Sequence, residues 1–124
     1  MKLEQLSPML ESNDLPGTID FYRNVLGFTL RGVFKDEKDP RWCDLAKDDV
    51  SIMFCMPNTH MNYGRIMLSG SLYIRVQDVN SHWLVLKDNC EIVYPIESFE
   101  YQMREFAIKD NNGYVLIFAE DISE

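Results

Sequence analysis

The sequence predicts an α+β fold of two tandem βαβββ modules, and three observations carry that prediction. Apolar positions recur at an offset of 64 residues, and each copy holds one helical stripe preceded by an aspartate. Each copy also ends in a hairpin, RWCDLAKDDVSIMF at 41–54 and REFAIKDNNGYVLIFAED at 104–121. The modules span 1–56 and 71–124, joined by a linker at 57–70, within a single domain. At 124 residues the chain is long enough to bury a core.

Taken in order, the first strand is expected over 5–12, ahead of a helix in DLPGTIDFYRNVLGF. There Leu15, Ile19, Tyr22 and Leu26 fall on one helical face. Asp14 is placed to cap the first turn, Pro16 fits an early position that needs no N–H, and Gly27 ends the helix. Period-two alternation then predicts strands near 28–35, 41–47 and 50–56, the last two joined by Asp48-Asp49. PNTHMNYGRIMLSG (57–70) has turn formers at both ends and reads as a hinge and a contact segment between subunits. In the second copy a strand near 71–76 precedes Asp78, the equivalent cap, and a stripe of Val79, Trp83, Leu86 and Cys90. Strands near 92–96, 104–109 and 113–120 follow, the last pair joined through Asn111-Asn112-Gly113, a sequence suited to positive φ.

Composition narrows the function. Apolar residues make up 46% of the chain, as in a globular protein. The net charge of −8 argues against nucleic acid, whose phosphates need a basic footprint, and suits either a cationic small ligand or simply an acidic solvated surface. MKLEQLSPML has no signal-peptide run, and no stretch is long and apolar enough for a membrane span. Cys43, Cys55 and Cys90 are odd in number and lack CxxC spacing, so they read as reduced thiols of a cytoplasmic protein.

Two βαβββ modules, with FYRNVLGF after the first strand and KDNNGYVLIFAED at the end, resemble the vicinal oxygen chelate superfamily. That superfamily includes glyoxalase I, extradiol dioxygenases, fosfomycin-resistance enzymes and bleomycin-resistance proteins. The resemblance covers nearly the whole chain, and DDVSIMF with REFAIKDNNGYVLIFAED is most similar to the bleomycin-resistance branch. It implies curved mixed sheets around a cleft and a homodimer whose clefts combine both chains.

Metal-using members of that superfamily place a ligand on the first and last strand of each module. Set against that pattern, the positions here are Ser7, Met53, Ser71 and Ile117. These side chains lack the N and O donors that Zn, Ni, Mn or Fe requires, so neither metal nor other cofactor is expected. Of the two histidines, His60 reads as a linker residue and His82 lies on the second helix.

What remains is a lined cavity. Strand parity groups Ser7, Met9 and Glu11 on one concave face, and Ser71, Tyr73 and Arg75 on the other. Glu11 would select an amine or guanidine, unless it is solvated or paired with Arg75. Met53, Cys55 and Ile117 would form an apolar floor, or else pack as ordinary core. Trp42, Tyr101 and the neighbouring Tyr94 and Phe99 supply rings suited to flat or cationic ligands, with edge or interface packing the alternative for Tyr94 and Phe99. Bleomycin-binding relatives carry Trp-Gly-Arg-Glu-Phe where this chain has YQMREF, so Gln102 replaces the Trp and Arg104 is retained.

The reading is a metal-free binding protein that sequesters a planar or cationic antibiotic-like small molecule in a dimer cleft. Catalysis is disfavoured, because no nucleophile–base–orienter set, GxSxG elbow or phosphate loop is present. Two alternatives stand beside it. One is a divergent glyoxalase- or lyase-like enzyme without metal, using Glu11 as general base. The other is a structural or regulatory module with a filled cavity.

Overall fold

Each half of the chain folds as strand, helix and three strands, forming an α+β fold with two four-stranded mixed sheets. The structure, a computed structural model, describes residues 1–58, 60 and 64–124. Thr59, Met61, Asn62 and Tyr63, in the segment read as a hinge and subunit contact, lie outside the described residues. The chain divides into two units, residues 1–67 and 68–124.

In the first unit, β1 (Met9–Glu11) is followed by α1 (Leu15–Asp20), β2 (Thr29–Asp36), β3 (Asp39–Lys47) and β4 (Val50–Cys55). The sheet order is β1-β4-β3-β2, with β1 parallel to β4 and the other pairs antiparallel. The Asp14 carboxylate caps α1 by accepting the Gly17 N–H at 3.0 Å. Residue 17 must be glycine for this cap, because a Cβ there would collide with the Asp14 carboxylate. The helix widens over Phe21–Val25, where the Leu26 N–H reaches the Phe21 carbonyl at 3.2 Å. It ends at Gly27, whose φ of +77° suits no β-carbon.

This helix lays Leu15, Ile19 and Tyr22 on Leu45, Ile52 and Phe54, all buried. The Tyr22 ring, wholly enclosed, meets Phe28 at 5.4 Å and Phe54 at 5.1 Å between centroids.

In the second unit, β5 (Leu72–Arg75) is followed by α2 (Val79–Leu86), β6 (Glu91–Ser98), β7 (Met103–Lys109) and β8 (Val115–Asp121). The order β5-β8-β7-β6 repeats that of the first unit, again with one parallel pair, β5 and β8. Phe106, Ile108, Leu116 and Phe118 form the buried face beneath α2, where Trp83 packs on Phe106 at 5.3 Å. In the hairpin turn, the Asp110 carboxylate accepts the backbone N–H groups of Asn112 and Tyr114, at 2.8 and 2.9 Å. Gly113 takes a φ of +90° there.

Four details differ from the sequence expectations. β1 begins at Met9 rather than residue 5, because Pro8 has no N–H to donate to a ladder, although its carbonyl still accepts the Met53 N–H at 2.9 Å. β5 likewise begins after Ser71. Asp78 does not cap α2 with its side chain; it has a φ of +56° and accepts the Ser81 hydroxyl instead. The Val79 N–H is satisfied by Glu120 of β8, at 3.0 Å, so the cap comes from the sheet. Cys90 lies beyond the end of α2, with its thiol on the Leu86 carbonyl at 3.2 Å.

Candidate functional site

In each unit the helix covers one face of the sheet, and the side chains alternating with the core residues line the other, distal face. On the first distal face, Met9 sits in register with Met53, and Glu11 with Cys55. Met53 lies opposite Asp44, and Cys55 opposite Trp42.

Asp44 is 8% exposed and anchors this face. It takes the Arg31 Nε–H on Oδ2 at 2.7 Å and the Ser51 hydroxyl on Oδ1 at 2.8 Å. Arg31 Nη2 also reaches the Ser51 Oγ at 3.1 Å, and the Ser7 hydroxyl approaches it at 3.4 Å. The arginine is aimed by a bulge: Leu30 faces Leu45, Gly32 faces Asp44, and Arg31 is the extra residue between. Trp42 rests over Gly32, where a Cβ would stand 3.1 Å from the indole Cζ3.

Glu11 is half-buried at the end of β1, and its Oε2 accepts the Asn58 N–H at 2.8 Å. Arg75 pairs with Asp121 at 2.9 Å. Each therefore has a partner within its own unit. Burial raises the Cys55 thiol above its ordinary value, and the nearby Glu11 adds to the effect. Burial pushes the Cys43 thiol up to about 11, as for an inert core cysteine. All three cysteines are free.

The second distal face is aromatic and acidic. Tyr73 lies beside Ile117, then Ala107 and Tyr94 across the sheet; Arg75 lies beside Ala119, then Glu105 and Glu97. Glu105 is 1% exposed. Its carboxylate accepts the Tyr94 hydroxyl at 3.1 Å and also accepts the Tyr101 hydroxyl. Phe99 stacks on Tyr101 with centroids 5.3 Å apart and planes 7° apart, and meets Tyr94 edge-on.

These contacts move the phenols. The bond to Glu105 pushes Tyr101 up to about 12. Burial raises Tyr94, and its bond to Glu105 adds to that. Burial also raises Tyr73, with the same carboxylate contributing.

The structure thus brings together Met9, Glu11, Trp42 and Met53 on one face, and Tyr73, Arg75, Tyr101 and Ile117 on the other. Arg104 is not on this second face. It lies one residue from Glu105 in strand parity and turns to the helix side, donating to Asn80 of α2 at 2.9 Å and to Ser98 at 3.1 Å. Ser7 and Ser71 lie just outside β1 and β5, and Ser71 is exposed. Glu105, Asp44 and Arg31 did not stand out in the sequence, although Glu105 shares strand parity with Ala107 and opposes the apolar pair Phe106 and Ile108. A separate cleft of about 340 Å³ lies at the end of the first unit, among Ser12, Asp14, Lys38, Arg41 and Met56.

The positions at which metal-using relatives carry ligands hold two hydroxyls, a thioether and an alkyl group. Among the described residues, no three of His, Cys, Asp and Glu cluster as a metal site would need. No helix among them is long and apolar enough to cross a membrane.

A family model for the glyoxalase/bleomycin resistance protein/dioxygenase superfamily matches residues 6–118, and the chain belongs to that superfamily. No curated protein matches it. Among solved structures it is similar to TioX from Micromonospora sp. ML1, with a TM-score of 0.79 and 20% identity over 95% of this chain and 98% of that one. It is also similar to TnmS3, an antibiotic binding protein from Streptomyces sp. CB03234, with a TM-score of 0.76 and 19% identity over 98% of both chains. A superfamily member from Sphaerobacter thermophilus DSM 20745 gives a TM-score of 0.75 and 20% identity, over 96% of this chain and 98% of that one. At such identities the likeness is one of fold.

Proposed function

We propose that this chain is a metal-free small-molecule binding protein that sequesters a planar or cationic antibiotic-like ligand as a cytoplasmic homodimer. The observation that carries the reading is the chemistry of the two distal faces. Where metal ligands would stand there are Ser7, Met53, Ser71 and Ile117, while Trp42, Tyr73 and Tyr101 present rings nearby. Such rings supply stacking area and cation-attracting faces, and supply no general acid or base near neutral pH. Glu11, the one base suggested for an enzymatic alternative, already accepts the Asn58 N–H. The antibiotic-binding description of TnmS3 is in keeping with this reading.

A thermal-shift screen of the purified protein against glycopeptide antibiotics, planar drugs, thiol conjugates and divalent metals tests it. A ligand at 100 times its dissociation constant adds about 2.7 kcal/mol of stability, a readily measured rise in melting temperature. Elemental analysis should find no stoichiometric Zn, Ni, Mn or Fe, and light scattering should find a dimer at micromolar concentration. One metal ion per subunit, or a monomer, would overturn the corresponding part.

A further inference from the structure

The second distal face holds an acidic spot that no cation of its own unit neutralises. Glu97 on β6 and Glu105 on β7 stand directly opposite one another in the ladder. Like charges so placed repel. Arg75 is engaged with Asp121 at 2.9 Å, and Lys109 with Glu91 at 3.9 Å. Arg104 is turned to the helix side and bound to Asn80. Among the described residues, neither Glu97 nor Glu105 takes part in an ion pair.

Three phenols lie against Glu105: Tyr94 and Tyr101 through their hydroxyls, and Tyr73 beside the same carboxylate. A phenol that has given its hydrogen to a carboxylate keeps its oxygen lone pairs as acceptors and the negative face of its ring. Tyr73 and Tyr101 remain 48% and 57% exposed, so these features are accessible around the buried charge. Phe99 backs the Tyr101 ring in parallel, which makes a flat platform with Glu97 exposed at its edge.

We infer that this tyrosine–glutamate cluster is a recognition site for an organic cation, an amine or amidinium carried on a flat apolar body. The inference rests on the small-molecule reading above and specifies its ligand. The body stacks on Tyr101, the cationic group meets Glu97 at the rim, and Glu105 attracts it from beneath the rings. Binding relieves the repulsion between the two carboxylates, so the arrangement that costs the free protein stability favours the complex.

The test uses the full-length protein and two probes of similar shape, proflavine, a planar cation, and acridone, which is neutral. Fluorescence titration should give proflavine at least about tenfold tighter binding than acridone, weakening as salt is added. Glu97→Gln should weaken proflavine roughly threefold to tenfold, and Tyr101→Leu roughly fivefold to thirtyfold. Glu37→Gln, which removes the same charge from the first unit, should leave it unchanged. Glu105→Gln should weaken it further, and if that variant fails to fold, the two exposed substitutions still decide. Equal binding of acridone and proflavine would refute the cation while leaving the ligand-binding reading intact. Proflavine binding indifferent to Glu97→Gln and Tyr101→Leu would refute the site. If neither probe binds and no compound in the wider screen shifts the melting temperature, both readings fall together.

Discussion

Asp44 in the first unit and Glu105 in the second lie on the distal faces of equivalent sheets, both nearly sealed from water. Asp44 is held by a guanidinium and a serine hydroxyl, Glu105 by phenols alone. Taking a carboxylate out of water is costly unless its charge is paired or its lone pairs are filled. The first unit pairs the charge, and the second only fills the lone pairs. One face is therefore locally neutral at its centre, whereas the other keeps its negative charge beneath a layer of aromatic rings. Their positions also differ within the repeat. Glu105 faces Ala119 as Trp42 faces Cys55, and Asp44 faces Met53 as Ala107 faces Ile117. The same lattice has been given an indole where its copy has an acid, and an acid where its copy has a methyl group.

The largest expected effect comes from neutralising the two acids. Glu105→Gln replaces an acceptor oxygen with an NH2 group facing a phenol, and should cost about 2 kcal/mol of stability. Asp44→Asn should cost about 1 kcal/mol, because Arg31, whose side chain is 53% exposed, can regain water. Urea denaturation of both variants measures this, and the reverse ranking would break the comparison. Salt should diminish the Asp44 contribution more than that of Glu105, since only the former is an ion pair.

The next effect is confined to alkaline pH. Tyr73, Tyr94 and Tyr101 are all raised in the folded protein above the ordinary 10.0. A proton held more tightly in the folded state stabilises it fully below the unfolded value. That contribution is lost as pH rises through the folded one. Stability should therefore decline from about pH 10 towards 12, the value Tyr101 reaches. Denaturation curves across this range should flatten in Tyr101→Phe; an unchanged slope would mean that the Glu105 bond does not hold that proton.

Smaller again is Gly32→Ala, whose methyl group would press on the Trp42 indole at about 3.1 Å. We expect a loss of about 1 kcal/mol and a shift in Trp42 emission, read separately from Trp83 by single-tryptophan variants. The smallest is Arg75→Gln, which removes an ion pair with side chains 66% and 45% exposed. It should stay within about 0.5 kcal/mol of the parent, because an exposed pair in water gains little.

The frame of this architecture was legible in the sequence because its causes are local. Asp14, Gly27 and the stripe of Leu15, Ile19 and Tyr22 define a helix without reference to the rest of the chain. The Asp48-Asp49 and Asn112-Gly113 turns likewise set their own hairpins. The site was less legible because its partners come from distant strands. Nothing near Asp78 announces that Glu120 will satisfy the start of α2. Arg104 and Glu105 are neighbours in sequence but belong to opposite faces, and only the ladder to β8 decides which. Arg31 meets Asp44 through a bulge, which strict alternation cannot anticipate.

Along β7 the residues of the two faces alternate one by one: Phe106 and Ile108 pack beneath the helix, while Glu105 and Ala107, also buried, lie on the distal face beneath its tyrosines. This interleaving has an evolutionary consequence. Substitutions at every second position can alter the chemistry presented by a strand while leaving the packed side of the same strand intact. Because the strand exists in two copies, one face can diverge while the other retains its older character. The contrast between Trp42 and Glu105 at matching places is what such independent drift in a duplicated scaffold would leave behind.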